Sequence, residues 1–407
     1  MMKQRILATS EKLFDEMTDF ACELIRTPSP SGEEKALAEL CAAQMSQLGY
    51  DEVFIDAIGN VVGVLRGSGG GANLMFNSHM DHVDPGNAAL WQYPPFGGVV
   101  ADGYLHGRAA SDVKGGLATQ IYAGALLRQA GIPLKGDIIF SGVVQEEPAE
   151  MLGIRHLCEQ TLPQHQLRFD LMLSSEATGL NLFLGHRGRV ELEVVSEGRT
   201  SHGSAPWRGI NAVSKMLPVL TAVEQLAGTL PTHPVLGQAT LALTNISCSP
   251  GRLSIIPDVC SVALDRRLLP EETPAQALAQ IEAILADLAA SDADFKAAAR
   301  IRSVRETSWT GLVADCAKQM EAWLIRPEHP LVIETAKALH TLGQTPDFGI
   351  WDFATDASYV TGVLGIPTIG YSPMEEQYAH TPSDRVSLEM MKKALAGNAA
   401  IAERISG

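Results

Sequence analysis

Between residues 10 and 26, SEKLFDEMTDFACELIR places Leu13, Met17, Phe20 and Leu24 three or four positions apart. That spacing predicts a helix with one apolar face and Ser10 as its N-cap. SGEEKALAELCAAQMSQLGY (31–50) repeats the pattern, with Ser31 as cap and Gly49 as stop. NVVGVLRG (60–67) and ANLMFNSHM (72–80) are short apolar runs joined by GSGGG, and predict two strands. GGLATQIYAGALLRQAG (115–131) predicts a helix rich in small residues, and DIIFSGVV (137–144) a buried strand. LMLSSEATG (171–179) is a further apolar strand, running into a carboxylate. Helices alternating with buried strands predict an α/β fold: a mixed, largely parallel sheet flanked by helices.

Near residue 187 the pattern changes. GRVELEVVSEG (188–198) alternates apolar and polar positions, as a half-exposed strand does. A helix follows at 211–228, interrupted or kinked at Pro218, then strands at 239–249 and 258–269, a helix at 274–291 and a strand at 295–306. The order β-α-β-β-α-β matches a split βαβ, ferredoxin-like unit. PLVIETAKALHTLG (330–343) returns to helix. The chain is thus expected to form a larger unit from 1–187 and 307–407, with a smaller one, 188–306, inserted in it.

The length, 407 residues, fits two domains. A net charge of −16 argues against a nucleic-acid or anionic-membrane partner, either of which calls for a basic face. Six scattered cysteines without a CxxC fit free thiols in a reducing compartment. The N-terminus has no long apolar segment and no run is long enough to span a bilayer, so the expected location is cytoplasmic.

Five clusters carry candidate chemistry. FNSHMDHVDPG (76–86) ends a strand with His79 and Asp81 two apart, a metal-binding imidazole beside a carboxylate that can fix its tautomer. LHGRAASDVKGGLA (105–118) places Asp112 just before a helix, where a cap or a surface pair with Lys114 is the ordinary alternative. VVQEEPAE (143–150) ends a buried strand with adjacent Glu146 and Glu147. Neighbours in extended chain point to opposite sides, so the two are expected to serve different roles, one facing a metal and one a substrate; an acidic turn is the plainer alternative. Glu176 ends strand 171–179, and EQYAHTPSDRVSL (376–388) offers His380, with Thr381 or Ser383 capping a following helix. In parallel α/β sheets ligands bind at the carboxyl ends of strands. His, Asp and Glu without Cys suit zinc or a similar divalent ion in a hydrolytic site.

SHMDHV, GRAASDVKGGLA, QEE, SSEAT, TSHGSAPWRGINAV and AHTPSDRV follow one another along nearly the whole chain. In that order and spacing they resemble the zinc metallopeptidase family of aminoacylase, acetylornithine deacetylase, succinyl-diaminopimelate desuccinylase, tripeptidase and glutamate carboxypeptidase. HRGRVELEV (186–194), LDRRL (264–268) and ETSWTGL (306–312) look most like its selenium-metabolism-linked hydrolase branch. The resemblance implies a catalytic domain with two zincs per chain, manganese or cobalt being alternatives, and an inserted lid and dimerisation domain. It implies that His79 and Glu176 bind one zinc, Glu147 and His380 the other, and Asp112 both. Asp81 would orient His79, Glu146 would be the general base, and His202 would stabilise the oxyanion, entering from the partner of a homodimer. Arg267 would hold a substrate carboxylate, or else pair with a nearby acid. The implied reaction is hydrolysis of an amide in a small carboxylate-bearing substrate, an N-acyl amino acid or a dipeptide. Alternatives are a ureido or carbamoyl amidohydrolase, or a non-catalytic metal-binding paralogue. His82, Ser254 and the lack of glycines before the Thr355–Asp356 pair in WDFATDASY (351–359) depart from the family pattern, and no role is assigned to these residues.

Overall fold

The computed structural model describes residues 2–148 and 151–407, so the last two residues of VVQEEPAE lie outside the described chain. A nine-stranded mixed sheet forms its centre. The strands Ile138–Val143, Leu74–His79, Leu171–Ser174 and Thr368–Gly370 lie side by side and run parallel. The first three are buried at every position, as a sheet covered on both faces requires. Leu74, Met75 and Phe76 are fully shielded from water, each contributing roughly 1.5–3 kcal/mol of apolar burial. The strands either side of GSGGG are not neighbours: Val61–Leu65 pairs antiparallel with Ile138–Val143, which lies between them.

The helices Met2–Arg26, Gly115–Gln129, Pro330–Leu342 and Leu388–Ser406 pack together as one layer on this sheet. Every residue from Gly115 to Leu127 is buried, which explains the small side chains of that segment. Its neighbour in the layer, Leu388–Ser406, comes equally close to the sheet: a Cβ on Gly397 would stand 2.1 Å from the Tyr371 hydroxyl.

The smaller sheet is antiparallel throughout, in the order Thr240–Ser249, Val259–Leu268, Gly188–Glu197, Lys296–Ile301. With the helices Ala212–Ala227 and Pro274–Ser291 it completes the ferredoxin-like order and encloses a core of its own, including Leu192, Met216, Leu264 and Ile281. Asn211 caps the first helix, and Thr273 and Gln276 form a capping box on the second.

Several local expectations change. The first helix begins at Met2, because Ile6 extends its buried stripe; Ser10 is buried inside it and caps nothing. The second helix begins at Lys35 after Glu34, and Ser31 points elsewhere. Pro218 lies within one continuous helix. The run 295–306 divides at Arg302: Lys296–Ile301 joins the smaller sheet, while Ser303–Thr307 forms a hairpin with Val313–Ala317. The last helix is capped by Ser387, whose hydroxyl accepts from Met390 N at 3.4 Å; neither Thr381 nor Ser383 caps it. No helix among the described residues is long and apolar enough to cross a membrane.

Candidate metal centre

Three adjacent parallel strands deliver side chains to one end of the larger sheet. His79 is the last residue of its strand; Glu146 and Glu147 follow the strand ending at Val143, and Glu176 the one ending at Ser174. Asp112 arrives from the irregular turn before helix Gly115–Gln129, and His380 from the loop before the last helix.

Asp112 lies between the two imidazoles. Its Oδ1 is 3.1 Å from His79 Nε2 and its Oδ2 is 2.9 Å from His380 Nε2. His380 Nε2 is also 3.2 Å from Glu147 Oε2, and His79 Nε2 is 3.8 Å from Glu176 Oε1. Two sets, His79 with Glu146 and Glu176, and His79 with Asp112 and Glu147, each hold their donor atoms within 4.8 Å of one another. Glu147 Oε1 is buried without a partner. Imidazole and carboxylate donors in this density, without thiolate, fit a divalent cation. The geometry also places Glu146 within reach as a ligand, a role the sequence expectation gave only to its neighbour.

Charge in the cluster is strongly perturbed. Burial disfavours a cationic His79, yet its hydrogen bonds to Asp112 and Asp81 outweigh this and hold its pKa well above the ordinary value. Burial, reinforced by the negative charge of Glu176, pushes Glu146 far above the carboxylate range. Burial raises Glu176 to about 8. Hydrogen bonds to Asp112 and Glu147 raise His380 to about 10.

The turn that presents Glu146 and Glu147 is held by its backbone. Asp81 Oδ1 accepts from Glu146 N at 3.0 Å, and its Oδ2 from Glu147 N at 3.1 Å and Ser31 Oγ at 2.7 Å. Buried Glu34 accepts from Gln145 N at 3.1 Å. Two carboxylates therefore grip three consecutive amides. Asp81 also meets His79 Nδ1, through its carbonyl at 3.0 Å and its carboxylate at 3.5 Å. The extended-chain argument for Glu146 and Glu147 fails, because the strand has ended and both line the same cleft. Their difference comes from the turn, which sends Glu146 toward His79 and Glu176, and Glu147 toward His380.

Sequence reasoning missed Asp384. Buried beneath the Asp112 loop, it accepts from Arg108 Nη1 at 2.9 Å, Ala109 N at 2.8 Å, Ser111 N at 2.8 Å and Ser111 Oγ at 2.7 Å. It thereby ties the segment bearing His380 to the segment bearing Asp112. Nothing in the local sequence marks it: an acid four residues after His380 reveals its amide partners only in the fold. Asp356 was also left unassigned; it is buried near Glu146 and Glu176 and raised by burial to about 7. His82 turns away from the cluster: its Nε2 accepts from Ser29 N at 2.9 Å and burial lowers it to about 4, as for a neutral ring.

A cleft of about 330 Å³ opens above the cluster, lined further by Met320, Phe353, Glu376, Arg189 and Arg267. Arg189 and Arg267 face each other on paired strands of the smaller sheet. Arg267 also pairs with Asp265, Nε to Oδ1 at 2.7 Å, the nearby-acid alternative expected for it, while it still lines the cleft. His202 does not line the cleft. It is exposed, with Nδ1 2.7 Å from Ser204 Oγ, and pairs in backbone register with Ile255.

Comparison with known proteins agrees with this architecture. The model of peptidase family M20/M25/M40 matches residues 75–404. The uncharacterized protein YgeY of Escherichia coli (strain K12) is 33% identical over 93% of this chain and 92% of its own. N-formyl-4-amino-5-aminomethyl-2-methylpyrimidine deformylase of Bacillus subtilis (strain 168) is 25% identical over 96% and 95%. Among solved structures, the YxeP protein of Bacillus subtilis, described as a dinuclear metal-binding peptidase of the M20 family, superposes with a TM-score of 0.71 at 14% identity, covering 97% of this chain and 98% of that one. With these similarities and a carboxylate–histidine cluster at the carboxyl ends of its parallel strands, the chain belongs to peptidase family M20/M25/M40 and is a metal-dependent amidohydrolase.

Proposed function

We propose that the protein hydrolyses an amide bond in a small carboxylate-bearing substrate, an N-acyl amino acid or a dipeptide, with two zinc ions per chain. The observation that carries this reading is the meeting, in one cleft, of Glu146, the histidine–carboxylate donors and two guanidinium groups. His79 and Glu176 would hold one ion, Glu147 and His380 the other, and Asp112 both. Bound there, the ions supply a water of lowered pKa and a Lewis acid for the amide carbonyl.

The chain's own groups do the rest. Glu146 takes the proton of the attacking water at its carboxylate and delivers it to the leaving nitrogen. Burial and the negative charge of Glu176 raise the proton affinity of that carboxylate, the direction that taking a proton from water calls for. Asp81 keeps Glu146 in place through its amide and orients His79. Arg267, with Arg189 opposite, receives the substrate's carboxylate. The deformylase relative favours the deacylase form of this chemistry over the peptidase form.

The catalytic domain in this reading comprises 1–187 and 307–407, and the lid and dimerisation domain 188–306. His202, remote from the cleft in its own chain, enters that of a partner subunit in a cytoplasmic homodimer and supports the oxyanion. The decisive experiment loads the purified protein with zinc and offers it a panel of N-acyl amino acids and dipeptides. Turnover that a chelator abolishes supports the reading. Full activity of Glu146→Ala on the same substrate would overturn the mechanism, and a fully active monomer in sedimentation would remove the role of His202 in trans.

A further inference from the structure

Two of the six cysteines are direct cross-strand partners. Cys248, on the edge strand Thr240–Ser249, stands opposite Cys260 on Val259–Leu268. The bonding side of each residue can be followed from the strand's start. Asp258 O accepts from Gly198 N at 2.7 Å, toward the strand Gly188–Glu197. The next amide, Val259 N, shares that peptide plane and so points the other way, toward Ser249, its register partner. Backbone groups alternate along a strand, so those of Cys260 point away from Cys248. The two cysteines therefore form a non-hydrogen-bonded pair, in which Cα atoms approach to about 4.5 Å and side chains come closest. That separation lies at the close end of the disulfide range.

Their environments are unequal. Cys248 is exposed, whereas Cys260 is fully buried. Burial and the neighbouring Cys248 raise the Cys260 thiol. Cys316, by contrast, faces Val304 in its hairpin, and Cys22 and Cys41 lie within helices.

The pair also closes the base of a loop that touches the His202 segment. Within the connection from Ser249 to Asp258, Ser254 O accepts from Gly203 N at 2.8 Å, and Ile256 N donates to Ser201 O at 2.9 Å. Ile255 pairs with His202 itself.

We propose that Cys248 and Cys260 are a reversible dithiol–disulfide pair, oxidised by a low-molecular-weight disulfide, that clasps the base of the loop holding His202. The Cys248 thiolate attacks one sulfur of the small disulfide, forming a mixed disulfide and releasing one small thiolate. The Cys260 thiolate then attacks the Cys248 sulfur, forming the internal S–S bond and releasing the second small thiolate. The two cysteine protons end on the two released thiols. The protein loses two electrons and the small disulfide gains them. An exposed cross-strand bond of this kind belongs to the labile class that cellular thiols reduce again.

The experiment treats the full-length protein with oxidised glutathione, quenches in acid and measures intact mass and peptide maps without reductant. The expected product is lighter by two hydrogens, with one linkage, between the peptides of Cys248 and Cys260. Cys260→Ser should stop at a glutathione adduct on Cys248, and Cys248→Ser should form no such bond. A stable glutathione adduct on the unsubstituted protein, or a covalent dimer joined through Cys248, would overturn the pair. Hydrogen exchange supplies the second readout: oxidation should slow the amides of Ser201–Gly203, and dithiothreitol should restore them. Unchanged exchange there would overturn the clasp on His202. None of these readouts uses hydrolysis, so failure here is separable from failure of the proposed activity.

Discussion

The smaller sheet and the carboxyl end of the larger one treat charge in opposite ways. Along Gly188–Glu197 the positions alternate buried and half-buried, and the acids on the open face pair with arginines: Glu191 with Arg302, Glu193 with Arg300. Glu191 and Glu193 each have a counter-ion and access to water. At the carboxyl end of the larger sheet, Asp81, Asp112, Glu146, Glu147 and Glu176 crowd around two histidines, and Ala109, Gln145 and His380 are held at positive φ. Such non-glycine conformations cost about 1–3 kcal/mol each and persist only where the surroundings over-determine them. For Ala109 and Gln145, Asp384 and Glu34 supply that determination by accepting from their amides. Regular pairing stabilises one region, while the other is held in an unfavourable arrangement suited to chemistry.

Substitutions can break or sharpen this contrast. The largest effect is expected at the base: Glu146→Gln should lower kcat by about 10²–10⁴-fold while bound metal, measured by elemental analysis, stays constant. Glu147→Ala should do the reverse at the metal, lowering affinity by more than the 10–100-fold typical of groups that only support a ligand. If both variants lost metal equally, the division of labour between these neighbours would be wrong. Asp384→Ala leaves Arg108 buried without its carboxylate and should cost about 3–5 kcal/mol in denaturant unfolding, with metal binding weakened as the Asp112 loop loosens. Leu264→Ala in the smaller core should cost a comparable 2–5 kcal/mol yet leave metal content unchanged.

The smallest effect is a pH dependence. His186 is buried, accepts from Trp323 Nε1 at 2.8 Å, and is lowered by burial to about 4. Between about pH 6.5 and that value the unfolded chain binds a proton that the native ring refuses. The native state should therefore hold its full advantage above pH 6.5 and lose up to roughly 3 kcal/mol as pH falls toward 4. Comparing urea midpoints across pH for the wild type and His186→Gln measures this share.

How much was legible follows the same division. The alternation of GRVELEVVSEG, the helical run 274–291 and the continuous apolar run 137–144 each declare an element, because burial on one face or on both leaves its mark on local sequence. His79, Asp112, Glu147 and His380 were recognisable by type and by family resemblance, and the fold brings them together. Asp384 and Glu34 were not, since a buried acid that binds amides far along the chain has no local signature. Ser31 was misread for a related reason: a serine before a helical run resembles a cap, while its actual partner, Asp81, is 50 residues away.

The sequence alone determined the fold class, the inserted six-element unit and the residue types available for metal chemistry, because these depend on hydrophobic period and side-chain identity. Tertiary structure decided which strands became neighbours, how Glu146 and Glu147 diverge, and which side chains hold them. Those outcomes rest on turns fixed by contacts between distant segments. A run such as VVQEEPAE specifies a strand end and two adjacent carboxylates, Glu146 and Glu147, whereas their directions come from Asp81 and Glu34, which lie in other parts of the chain.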